Sequence, residues 1–218
     1  MRRLGPDSVQ LRFDSKLTLE QYLTQRGWEL ATLPSCPLHP AGGCGYARLG
    51  VYVRKVPEST PVPRWYCRKG RTTFSLLPDF FASRLPGLLD DVERAAAAAE
   101  SARSLAAAAE QLRPGDVDGA VTTTSAERWL RRRVTMIATV LVAVVGILPD
   151  RLAGVSTVAG LRGRLETDHA LVALRELAAK HITALPRPLG FGPQRGRGSR
   201  RGGGFQHDLG PDPPEDAG

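Results

Sequence analysis

The sequence has little lysine. Only Lys16, Lys55, Lys69 and Lys180 occur among its 30 basic residues, so arginine carries nearly all of its positive charge. Cysteine is also scarce, with only Cys36, Cys44 and Cys67. An odd number of cysteines in 218 residues argues against a disulfide-built secreted fold. The two arginines near the N-terminus are not followed by an apolar stretch, so no secretory signal is expected, and a reducing cytoplasm is the expected compartment. Long hydrophobic runs are missing too. Val134 to Leu148 is free of charge for fifteen residues, whereas a spanning helix needs roughly 20. The run lies between Arg131, Arg132 and Arg133 on one side and Pro149, Asp150 and Arg151 on the other. This pattern predicts a buried helix, and a membrane-attached regulator is the alternative that the flanking arginines allow.

The hydrophobic fraction, 42%, supports a packed core and excludes wholesale disorder. Against 22 acidic residues, the basic side leaves a net charge of +8 and a pI near 10.0. Arginine forks onto phosphate and stacks on bases better than lysine does, so this excess favours a polyanionic partner. A genome rich in G and C would produce the same arginine- and alanine-rich composition.

Along the chain, four segments are expected. Residues 1–33 carry a short helical signal, with Thr18 and Gln21 spaced as a capping box. Residues 34–82 are rich in proline and glycine and hold two strand candidates, Arg48 to Arg54 and Val62 to Cys67. Residues 83–185 read as helical. An alanine-rich stretch from Leu88 to Leu112 breaks near Ser101 or Ser104, a capped helix runs from Thr124 toward Leu148, and a last helix spans about Thr167 to Ile182. Residues 186–218, with their Arg/Gly run and acidic end, read as a disordered tail. The expected fold is therefore mainly α: a small zinc-ribbon-like β-hairpin module, an all-helical region and a tail.

The most informative constellation is Cys36 and His39, then Cys44, then Cys67. Zinc takes thiolate and imidazole ligands in a tetrahedron, and a metal would stabilise a module too small to stand on apolar burial alone. Two residues between Cys36 and His39 let both side chains converge on one ion. The motifs Cys36-Pro-Leu-His39, Cys44-Gly45, Gly50 to Lys55, Arg64-Trp-Tyr-Cys67 and Thr73-Phe-Ser-Leu-Leu-Pro-Asp79 resemble a bacterial zinc-ribbon family. That family is related to the N-terminal DNA-recognition regions of insertion-sequence transposases. Its commoner pattern has Cys-x-x-Cys-Gly before the Thr-Phe-Ser-Leu-Leu-Pro run, where this chain has Gly70 and Arg71, so the resemblance implies that His39 stands in for the fourth ligand.

A second constellation is Arg128, Arg131, Arg132 and Arg133, at the head of the helix opened by Thr124. The first three share one face, as the reading helix of a helix-turn-helix would present them to base edges. With Arg54, Lys55, Arg64, Arg68, Lys69 and Arg71 on the hairpin, they are the expected phosphate contacts. Within the same helix, Leu130, Val134, Ile137, Leu141, Val144 and Leu148 form a heptad seam. It predicts either packing inside the chain or a homodimer through residues 130–148.

Enzyme signatures are absent from the reading. The run Gly196 to Gly202 follows no strand and opens no helix, so it is not a phosphate loop. His169 and His181 are too far apart on a helix to share a metal. No strand-alternating segments follow residue 80 to carry a two-metal transposase centre. The expectation is a non-enzymatic DNA-binding protein with zinc as its cofactor and no small-molecule substrate. A protein-interaction or oligomerisation module derived from a mobile element is the other alternative.

Overall fold

In the computed structural model, residues 7–57, 59–112 and 123–191 are described. The N-terminal half is a four-stranded mixed sheet of β1 (Asp7–Phe13), β2 (Ala47–Arg54), β3 (Thr60–Cys67) and β4 (Thr72–Pro78), in the order β1-β4-β3-β2. Two short helices, α1 (Leu19–Thr24) and α2 (Gly27–Leu30), lie between β1 and β2 in the chain. The C-terminal half is helical: α3 (Leu89–Ser101), α4 (Leu105–Gln111), α5 (Thr123–Ile147), α6 (Pro149–Leu152), α7 (Val158–Leu165) and α8 (Ala170–Leu177), closed by a 3-10 turn at Ala179–His181.

The expectation of a mainly α chain is corrected by the sheet. Of the described residues 45% are helical and 19% strand, and the hairpin of β2 and β3 is only half of a larger sheet. Two strands account for the difference. β1 alternates Val9, Leu11 and Phe13 with Ser8, Gln10 and Arg12, a half-buried strand pattern hidden by the strong capping signal just beyond it. It pairs in parallel with β4, from Asp7 opposite Thr72 to Phe13 opposite Pro78. β4 is buried along its whole length and so shows no alternation.

Local helix signals act as their chemistry requires. At α1 the Gln21 N–H donates to Thr18 Oγ1 at 3.2 Å, and the Thr18 N–H donates to Gln21 Oε1 at 3.0 Å. The alanine-rich stretch divides between α3 and α4, where Ser104 Oγ accepts from the Ala107 N–H at 3.1 Å. α5 begins at Thr123, so Thr124 lies inside the helix and does not cap it. Buried Ala95, Ala108 and Ala109 pack beside Leu130, small side chains that let α3, α4 and α5 approach closely.

The heptad seam of α5 is filled within the chain. Leu130, Ile137, Leu141 and Val144 are buried and Val134 and Leu148 are half-buried, against α3, α4 and the helices beyond. The possible homodimer through 130–148 therefore has no open seam to use. The uncharged run contributes the buried Ile137, Val140, Leu141 and Val144 but also exposes Thr135, Thr139 and Val142, and no helix among the described residues is long and apolar enough to cross a membrane.

Glu93 is buried on α3, where it accepts from Arg162 Nε at 2.7 Å and from the Leu171 N–H at 2.8 Å. It thereby ties α7 and α8 to α3. Glu93→Ala strands the Leu171 N–H away from water, and the expected loss is about 2–3 kcal/mol, read as a lower urea midpoint at an unchanged slope. A midpoint equal to wild type would show that this tie carries no stability.

The two halves meet where β4 ends. Arg12 pairs with Asp79 at 2.8 Å and with Glu176 of α8, and Lys16 bridges Asp14 and Glu176. Beneath this network Arg175 is fully buried. Its guanidinium donates to four backbone carbonyls, those of Asp79, Phe81, Pro188 and Leu189, and lies 5.0 Å from the Phe191 ring centroid. Leu185, Leu189 and Phe191 are buried as well. Residues 188–191, near the start of the expected tail, are thus part of the core, and the segment after Phe191 lies outside the described residues. Gly190 is required here, since a Cβ would fall 1.8 Å from the Leu185 carbonyl oxygen.

Candidate metal centre

Three backbone segments bring four side chains to one point. The first is the turn from Cys36 to His39, closed by the His39 N–H donating to the Cys36 carbonyl at 3.1 Å. The second is Cys44, followed by Gly45 at φ +65°, a left-handed position that glycine adopts without strain. The third is Cys67, the last residue of β3, whose following turn is held to the second segment by the Lys69 N–H donating to the Cys44 carbonyl at 3.1 Å.

The ligand atoms of Cys36, His39, Cys44 and Cys67 all lie within 4.8 Å of one another. His39 Nδ1 is 3.4 Å from Cys67 Sγ and 3.7 Å from Cys36 Sγ. In a tetrahedral zinc site with ordinary Zn–S and Zn–N bonds, a sulfur and a nitrogen ligand sit about 3.5 Å apart. The observed separations bracket that value, so the donor set fits a Cys3His ion in size and in chemistry.

Burial pushes the Cys44 thiol above its ordinary pKa, and the neighbouring sulfurs reinforce this. Burial acts on Cys36 in the same direction, but the His39 side chain and the Leu38 and His39 backbone N–H groups outweigh it and bring that thiol down to about 7. All three cysteines are buried and free of disulfides.

The role of His39 is explained by Gly70. A Cβ at Gly70 would lie 2.7 Å from Leu38 Cδ1 and 3.5 Å from His39 Cε1. The His39 ring and Leu38 therefore occupy the space that a side chain at position 70 would need. The Gly70 N–H also donates to Cys67 Sγ at 3.2 Å, a contact that steadies a thiolate ligand. Next to it, Arg71 takes φ +49°, a left-handed position that glycine adopts without strain.

The expected phosphate contacts divide into exposed and half-buried groups. Arg68, Lys69 and Arg71 are exposed, on the turn that follows Cys67. Arg128, Arg131 and Arg132 are exposed on α5. Arg133 is half-buried, with its guanidinium 3.6 Å from the Trp129 ring centroid. Arg64 is also half-buried and stacks on Tyr52 at 5.3 Å. Arg54 lies over Phe81 at 4.4 Å and donates to the Leu85 carbonyl. Arg128 Nε donates to the Thr124 carbonyl at 3.3 Å. Trp129, not among the expected contacts, is 40% exposed beside the exposed Arg128, Arg131 and Arg132. Its signal was its place within the arginine run. The connection between α4 and α5, on which a helix-turn-helix reading turns, lies outside the described residues.

A second acidic group, Asp14, Asp79 and Glu176, also converges. Arg12 and Lys16 already pair with these carboxylates, so they form an ion-pair network joining β1 to α8. Compared with protein families, with curated proteins and with solved structures, the chain matches none.

Proposed function

We propose that the chain is a zinc-stabilised DNA-binding protein that acts without catalysis. Cys36, His39, Cys44 and Cys67 hold the ion, whose chemistry here is structural: four protein ligands leave no open position for a substrate. The observation that carries the reading is the turn from Cys67 to Arg71. It joins a buried metal ligand to three exposed cations, Arg68, Lys69 and Arg71, so the ion that orders the turn also fixes their positions. The exposed face of α5, with Arg128, Arg131 and Arg132, supplies a second set of phosphate contacts.

Binding to random duplex DNA across a salt series tests this reading. Each phosphate neutralised adds about −0.9 to the slope of log affinity against log salt. Alanine at Arg68, Lys69 and Arg71 together should flatten the slope by about 2 to 3 while leaving the metal content unchanged. Absence of salt-dependent binding at low ionic strength would remove the proposal. A slope that the triple variant does not change would remove the turn from it.

A further inference from the structure

Apolar side chains in contact with water are concentrated on one strand. β2 is an outer strand of the sheet, and its Leu49, Val51 and Val53 are 51%, 41% and 59% exposed. The opposite outer strand, β1, keeps Val9, Leu11 and Phe13 half-buried. An outer strand presents a row of unpaired N–H and C=O groups, which proteins commonly shield with charge, proline or a bulge. On β2 the irregularity lies between Arg48 and Gly50, where Gly50 takes φ +113°. From Gly50 to Arg54 the pairing with β3 is regular, so the strand's outer edge is straight there.

The charges on this strand serve the chain's own fold. Arg48 donates to the Trp28 carbonyl at 2.7 Å and lies over Trp65, and Arg54 is held by Leu85 and Phe81. What β2 offers a partner is its backbone edge with Val51 and Val53, which share one face opposite Pro63 and Pro61.

We propose that β2 is a homodimer interface, in which a second copy adds its own β2 in antiparallel pairing about a two-fold axis at Tyr52. A two-fold axis through a continuous sheet opposes residues of the same face, so it passes through Val51, Tyr52 or Val53. About Val51, the pairing runs into the irregularity at Leu49 and brings Arg54 toward Arg48 of the other copy, where like charges repel. About Val53, it sets Val51 against Lys55, beyond the end of the strand. About Tyr52, Val51 of each copy meets Val53 of the other. Arg54 then meets Gly50, which has no side chain and has open space where a Cβ would stand. In this register apolar side chains meet apolar ones and no like charges are set against each other. The proposal does not rest on DNA binding.

Sedimentation equilibrium of the full chain across a wide concentration range tests it. The mass should rise from 23.5 kDa toward twice that value. Val51→Glu alone, or Val53→Lys alone, should weaken association by about tenfold or more, because each sets a charge against an exposed valine. Combining Val51→Glu with Val53→Lys should restore it, since in this register the two new charges face each other across the axis twice. A wild-type chain that stays at the monomer mass throughout would overturn the proposal. So would single variants that associate as the wild type does, or a double variant as weak as the singles.

Discussion

Replacing Cys67 by serine is expected to remove the metal and to unfold the sheet half of the protein. Cys67 is fully buried, and Trp65, Phe74 and Leu76 pack in one cluster with Cys36, Cys44 and Cys67. Because the ligands meet only in the folded chain, the free energy of metal binding is also free energy of folding. Structural zinc contributes about 10–16 kcal/mol in small modules, against about 5–15 kcal/mol for the whole stability of a typical domain. A loss of that size cannot be absorbed. Elemental analysis should fall from about one zinc per chain toward none, and the near-ultraviolet signal of Trp65 should collapse with it. His39→Cys should keep the zinc, because a thiolate at that position completes a four-cysteine set. The wild-type protein should also release zinc on acidification, as protons compete for thiolates and imidazole. A native protein that holds no zinc, with a Cys67→Ser variant that unfolds at the same point, would sink the metal centre.

Arg175→Leu is expected to cost about 3–5 kcal/mol, the scale of a buried charged group removed from its partners. The guanidinium is the single donor group that reaches the Asp79, Phe81, Pro188 and Leu189 carbonyls together. Leucine fills part of the volume but leaves the Asp79, Phe81 and Leu189 oxygens without this donor, each at about 1–3 kcal/mol before the chain relaxes, while the Pro188 oxygen keeps the Ser83 N–H at 2.8 Å. Arg175→Lys should recover little, because an ammonium cannot reproduce the planar fork that spans two backbone segments. Urea titration measures the effect. A shift below about 1 kcal/mol would mean that the carbonyls find other donors.

Sequence legibility followed the range of the interactions. The convergence of Cys36, His39, Cys44 and Cys67 could be read because their identities are chemically rare and three of them cluster within nine positions. Helix caps at Thr18 and Ser104 could be read because the residues that make them lie three apart. β1 could not be read as part of the sheet, since its partner β4 starts at Thr72 and no local signal marks a parallel pair. Arg175 was equally silent: it sits among Leu171, Leu174 and Ala178 on α8 and looks like a solvated arginine until its carbonyl acceptors assemble around it. Gly70 stood out as a departure from the resembled pattern, but its reason, the room it leaves for His39 and Leu38, is a contact between segments thirty residues apart.

The joint at Asp79 and Phe81 has a consequence for the order of assembly. All four candidate ligands have been synthesised once residue 67 is made, and the entropy of closing the chain between them grows only slowly with its length. The parallel pairing of β1 must wait for β4, and the seat of Arg175 must wait for Pro188 and Leu189, the last stretch of the described chain. A nascent chain can therefore gather Cys36, His39, Cys44 and Cys67 long before its two halves lock. Pro188 and Leu189, which close the seat of Arg175, emerge more than a hundred residues after Cys67.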